Sequence, residues 1–84
     1  MFSYELVFSQ VALDALLAAD AAQRTQARAE ILALCRTPAR RGDYRTKDKE
    51  RREWEVLLTN GVVITYWTDD AVREVRIGLV EWPG

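Results

Sequence analysis

Between Arg36 and Arg52 the sequence places Arg36, Arg40, Arg41, Arg45, Lys47, Lys49, Arg51 and Arg52, eight of its 12 lysines and arginines. Only Asp43, Asp48 and Glu50 oppose them, so this segment carries +5. The rest sets four bases (Arg24, Arg28, Arg73, Arg76) against ten acids and carries −6, and the formal net charge of −1 is the sum of two opposed fields. Cations that replace the counterions condensed on a polyanion give nucleic-acid binding its salt-dependent affinity, so the block is a candidate phosphate-contacting surface. A solvated, flexible loop is an equally good reading, since short basic runs are common on small domains. The aromatic residues Trp54, Tyr66, Trp67 and Trp82 offer a second chemistry, stacking on unpaired bases. Core packing is the first expectation for Trp54 and Tyr66. Neighbours on a strand point to opposite faces, so Trp67 must then meet the other side of the sheet or a partner. Trp82, near the end, is expected to be the exposed aromatic.

Other chemistries are closed off by composition. With no histidine and Cys35 as the lone cysteine, the chain lacks Cys/His zinc spacing, a Ser-His-Asp or Cys-His pair, an imidazole base and an internal disulfide. The run Met1 to Phe8 is interrupted by Glu5 and too short for a signal-peptide core, and no stretch has the apolar length of a membrane span. The expectation is a soluble, cytoplasmic protein of one domain, 1–84, in which nearly every apolar segment contributes to a shared core.

The elements that must position these residues follow from periodicity. Tyr4 to Phe8 suits a short strand. Ser9 stands as an N-cap before a helix of roughly Gln10 to Ala19, with Leu13, Leu16 and Leu17 at helical spacing. Ala27, Ile31, Leu34 and Cys35 form one stripe of a second helix within Ala21 to Arg36, stopped by Pro38, and Cys35 reads as a buried small hydrophobe. The short connection makes a helical hairpin. After the basic block the period becomes two: Trp54, Val56 and Leu58 alternate with Glu53, Glu55 and Leu57, and Asn60-Gly61 supplies a type I′ turn. Val62 to Thr68 reads as a central strand, Asp69-Asp70-Ala71 as a tight connection, and Val75, Ile77 and Leu79 alternate with Glu74, Arg76 and Gly78 in a last strand whose expected core positions include Val75 and Ile77. The fold class is α+β, order β-α-α-β-β-β, with the helical hairpin packed on a mainly antiparallel four-stranded sheet.

This order, with Tyr4-Glu5-Leu6-Val7-Phe8-Ser9-Gln10 and Ala12-Leu13, resembles the RelE/ParE superfamily of type II toxin components. The resemblance continues through Glu53-Trp54-Glu55-Val56, Tyr66-Trp67-Thr68-Asp69 and Val75-Arg76-Ile77, and so covers nearly the whole chain. It implies a toxin held inactive by a cognate antitoxin that docks on the helices and sheet edge. Two activities occur in the family: ribosome-dependent mRNA cleavage, a metal-independent and cofactor-free phosphodiester transfer that inhibits translation, and inhibition of DNA gyrase. A catalytically silent protein-binding module is a third reading.

A nuclease member needs a cation for the developing phosphorane charge and groups to move protons. The resemblance implies Arg45, Lys47, Lys49, Arg51 and Arg52 as RNA-binding, with Arg52 also a transition-state cation. Val63 stands where such members carry an arginine and Val80-Glu81-Trp82 where they carry a tyrosine or histidine. Arg76 is therefore the substitute cation, or else pairs across strands with Glu53 or Glu55. Tyr44 and Glu81 are the proton-transfer candidates.

Overall fold

Residues 4–83 are described by the computed structural model; residues 1–3 of the N-terminal run and Gly84 lie outside them. Strand β1 (Glu5–Phe8) ends at Ser9, whose hydroxyl does two things at once. It accepts the Ala12 amide at 3.0 Å, capping helix α1 (Gln10–Ala18), and donates to the Gly78 carbonyl at 2.7 Å, tying the helix start to the sheet. Asp20 caps α2 (Ala21–Arg36) through a capping box with Gln23. Arg24 reaches back to the carbonyls of Leu16 (3.0 Å) and Ala19 (2.7 Å), so its guanidinium ties down the end of α1 where the chain turns.

Four more strands follow: β2 (Tyr44–Lys47), β3 (Glu53–Thr59), β4 (Val62–Asp69) and β5 (Glu74–Glu81). The sheet order is β1-β5-β4-β3-β2, antiparallel except for the parallel β1–β5 pair. The α+β class and the helical hairpin on a mainly antiparallel sheet are as expected, but the sheet has a fifth strand, β2, inside the basic block. Its residues Tyr44, Arg45, Thr46 and Lys47 are all exposed, so the alternation that marks a buried strand is missing from them. Backbone pairing to β3 fixes it, with Asp43 N donating to the Val56 carbonyl at 2.8 Å. Asn60 and Gly61 both have positive φ (48° and 79°), as a type I′ turn requires.

Both helices cover one face of the sheet, α1 over β5 and β1 and α2 over β4 and β5. The core between them joins Ala12, Ala27, Ile31, Leu34 and Cys35 to Leu57, Val62, Ile64, Tyr66, Val75, Ile77 and Val80. Two expectations about this core are corrected. On α1 the inward pair is Ala12 and Leu16, one turn apart, while Leu13 and Leu17 face outward at 41% and 69% exposure. On β3 the inward residue is Leu57, because it pairs with Ile64; Trp54, Val56 and Leu58 lie on the other face. Trp82 is half-buried against the core rather than exposed. The buried Tyr66 hydroxyl donates to the Arg40 carbonyl at 2.7 Å and the Thr68 hydroxyl to that of Pro38 at 3.0 Å, which holds the segment after α2 against the sheet.

Candidate nucleic-acid interface

The sheet face away from the helices is half-buried to exposed except at Val56, which is 3% exposed. Its register lines up Thr46 with Trp54 and Trp67 with Arg76 and Val7, while Tyr44, Val56, Thr65 and Leu79 form the adjacent row. Trp54 and Trp67 meet edge to face at 6.4 Å between ring centroids and an interplanar angle of 83°. Over Trp67 stand two guanidinium groups, Arg52 with Cζ 4.2 Å from the ring centroid and Arg76 at 5.5 Å. Arg76 donates to Glu74 at 2.7 Å, and its Nε is enclosed without a hydrogen-bond partner. Register shifts at Thr65/Tyr66 opposite Gly78, so β5 carries one extra residue there.

The β2–β3 connection is built around Asp48. One carboxylate oxygen accepts the amides of Glu50 and Arg52, each at 2.9 Å, and the other accepts the Trp54 indole N–H at 2.9 Å. The indole bond and the Arg52 amide chiefly hold the Asp48 carboxyl below its ordinary pKa, since each favours the anion. Arg51 adopts φ 64°, closing the turn through its amide to the Asp48 carbonyl at 3.0 Å. From Tyr44 onward the basic block is thus a hydrogen-bonded hairpin. Lys47, Lys49, Arg51 and Arg52 are all exposed at its tip, and none makes a salt bridge within 4.0 Å among the described residues. Arg45 differs. It is bonded to Glu55 at 2.9 Å with Glu53 at 3.9 Å, an arrangement that raises the guanidinium pKa and neutralises it toward outside anions. A depression of about 230 Å³ adjoins Trp54, with Lys47 and Thr46 on its rim. Another, of about 340 Å³, reaches Trp67 from the helix side and is of mixed charge, lined by Arg40 and Arg41 together with Glu53, Glu55 and Asp70.

No family model matches this sequence, and no curated protein matches it significantly. Solved structures do match. A chain of the RelBE2 toxin-antitoxin complex from Mycobacterium tuberculosis superposes with TM-score 0.73 at 20% identity, over 96% of this chain and 99% of that one. The archaeal RelE-RelB complex from Pyrococcus horikoshii gives 0.73 at 12% identity, over 98% and 97%. The isolated RelE toxin of E. coli gives 0.69 at 18%, over 98% and 86%. The chain has the RelE toxin fold.

On this RelE fold the candidate residues fall into three groups. Arg52 and Arg76 are brought together over Trp67, although they are far apart in sequence. Lys47, Lys49 and Arg51 gather beside them on the hairpin, whereas Arg45 turns to Glu55. Tyr44 and Glu81 share the open face but not the cluster: Tyr44 lies one row away on the edge strand, and Glu81 pairs with Val63 at the far end of β5, roughly 15 Å along the strand from Arg76. The cross-strand pairs expected for Arg76 with Glu53 or Glu55 do not form; those carboxylates lie on the helix side, with Arg45 and Arg41, and Arg76 takes Glu74 from its own strand. Sequence reasoning missed Asp48 and Glu74, the carboxylates that touch the cluster. Asp48 carried a detectable signal, a turn-forming residue ahead of a strand that begins with an aromatic.

Proposed function

We propose that this protein is the toxin-like component of a type II toxin-antitoxin system and that its hairpin and open sheet face engage mRNA on the ribosome. The observation that carries this reading is the set of four exposed cations, Lys47, Lys49, Arg51 and Arg52, held without a salt bridge among the described residues on a hydrogen-bonded turn beside the sheet face that the helices leave uncovered. Unpaired side chains of this kind neutralise phosphates at little cost in broken contacts. Arg52 and Arg76, meeting at one point of the face, supply positive charge where a phosphodiester undergoing attack by its own 2′-hydroxyl would accumulate negative charge. Tyr44, on the edge strand three strands from Arg76, and Glu81, at the far end of β5, are the proton-transfer candidates. An antitoxin fits the opposite side, where Val11, Leu13 and Leu17 of α1 are exposed at 60%, 41% and 69%. Among the described residues no helix is long and apolar enough to cross a membrane.

The separation of Tyr44 and Glu81 from the arginine pair favours a second reading, a catalytically silent RelE-fold protein that binds RNA without cutting it. Inducible expression distinguishes the two. The leading reading expects growth arrest and new 5′ ends within mRNAs on translating ribosomes, both relieved by co-expressing the neighbouring antitoxin frame. Arrest without new ends supports the silent reading. Normal growth with intact mRNA refutes the toxin assignment.

A further inference from the structure

Trp67 occupies an unusual setting for a sheet tryptophan. Its ring lies on the open face rather than in the core, half-buried, braced edge-on by Trp54, and its nearest cation is Arg52 at 4.2 Å from the centroid. Trp54 is itself immobilised, by its N–H bond to Asp48 and by lying against Gly78, where even a Cβ would stand 2.7 Å from the indole Cζ3. Arg52 is exposed and, among the described residues, has no carboxylate within 4.0 Å, so its side chain can leave the ring without breaking a close ion pair there. The ring is therefore fixed, Arg76 stays beside it at 5.5 Å on its bond to Glu74, and Arg52 is the cover that can leave.

From this geometry we infer that Trp67 is the base-stacking platform of a single-stranded RNA subsite, covered by Arg52 in the free protein. An unpaired base displaces the guanidinium from the indole face, and Arg52 then meets the adjoining phosphate. An exposed cation–π contact is the weaker of the two interactions, so the exchange favours the base. The depression beside Trp54 is lined in part by the exposed Lys47, which places a cation next to the braced pair of rings for a neighbouring phosphate. Stacking of this kind tolerates any base, because every base has a π face. The inference rests on reading the open face as an RNA surface, but it requires neither cleavage nor a ribosome.

Its test uses the purified full chain and three fluorescein-labelled hexamers: oligoadenylate, oligouridylate and an abasic ribose-phosphate strand. Wild type is expected to bind oligoadenylate at least about five-fold more tightly than the abasic strand, the lower bound for stacking one base. Trp67→Leu should erase that preference, and Trp67→Phe should keep most of it. Arg52→Gln should weaken all three strands and reduce the salt slope by about 0.7 while leaving the preference intact, a readout that an unfolded variant could not give. Equal affinity of wild type for the abasic strand overturns the inference, as does a Trp67→Leu protein with native circular dichroism that still prefers oligoadenylate. A hexaglutamate peptide that competes as well as oligoadenylate would assign the face to a protein partner and also overturn it. A protein that prefers bases but does not arrest growth retains this subsite and loses the toxin assignment, so the two failures are distinguishable.

Discussion

The Trp54 indole rests on the backbone of Gly78: a Cβ built there would lie 2.7 Å from Cζ3 and 3.0 Å from Cη2 of the ring. Gly78 is also the extra residue in β5, and its carbonyl accepts the Ser9 hydroxyl from the helix side. One glycine thus seats an aromatic on one face and anchors a helix cap on the other. Gly78→Ala should cost about 1–3 kcal/mol by overpacking. It should also change the near-ultraviolet circular dichroism of the paired tryptophans, read beside a urea unfolding curve. An unchanged midpoint and spectrum would contradict this packing.

Asp48 provides the pH-dependent element of the hairpin. Its folded-state pKa is lowered, so its contribution to stability is present above the unfolded value of about 3.9 and is lost as pH falls through the still lower folded value. Asp48→Asn should therefore be most destabilising, relative to wild type, near neutral pH. The difference in melting temperature should shrink in acid, below about pH 4. Thermal melts of both proteins across this range check the sign.

Tyr66 titrates in the opposite sense. Burial, reinforced by the nearby Glu55 charge, pushes its phenol up to about 12. The unfolded phenol loses its proton first, at about 10, so stability falls as pH rises from there toward the folded value. A difference titration at the phenolate absorbance band, wild type minus Tyr66→Phe, should isolate this midpoint. At neutral pH the same variant should lose about 0.5–1.5 kcal/mol through the missing bond to the Arg40 carbonyl.

Hairpin charge should be separable from hairpin structure. Lys49→Gln and Arg51→Gln alter exposed side chains that make no salt bridge among the described residues, so each is expected to move stability by less than about 0.5 kcal/mol. Each should reduce the salt slope of single-stranded RNA binding by about 0.7 if it contacts a phosphate. An unchanged slope in both would remove the hairpin tip from the interface.

On the helical side, Leu17→Glu tests the partner surface. With Leu17 at 69% exposure, the substitution should leave the unfolding midpoint within about 0.5 kcal/mol of wild type. If the proposed toxin-antitoxin reading holds, co-purification with the protein encoded by the neighbouring frame should weaken markedly. Full retention of the antitoxin would place it elsewhere.

Much of the architecture was legible from periodicity. The stripe Ala27, Ile31, Leu34 and Cys35 is buried as its spacing indicates, and Asn60-Gly61 makes the turn its φ tolerance favours. The phase of β3 was not legible, because Trp54, Val56 and Leu58 are as apolar as a core set. Only the pairing of Leu57 with Ile64 settles which face is inward. β2 was hidden for the opposite reason: an exposed edge strand held by backbone bonds leaves no hydrophobic alternation to detect.

The sequence alone determined that charge is segregated, that histidine chemistry is absent, and that two helices and a mainly antiparallel sheet share a small core; these depend on residue type and local spacing. Tertiary structure decided which cations are free. Arg45 and Arg52 look alike in the basic block, yet one is engaged by Glu55 and the other stands over Trp67. Strand alternation and hairpin register carry neighbouring arginines to different faces, and their electrostatic partners come from residues distant in the chain.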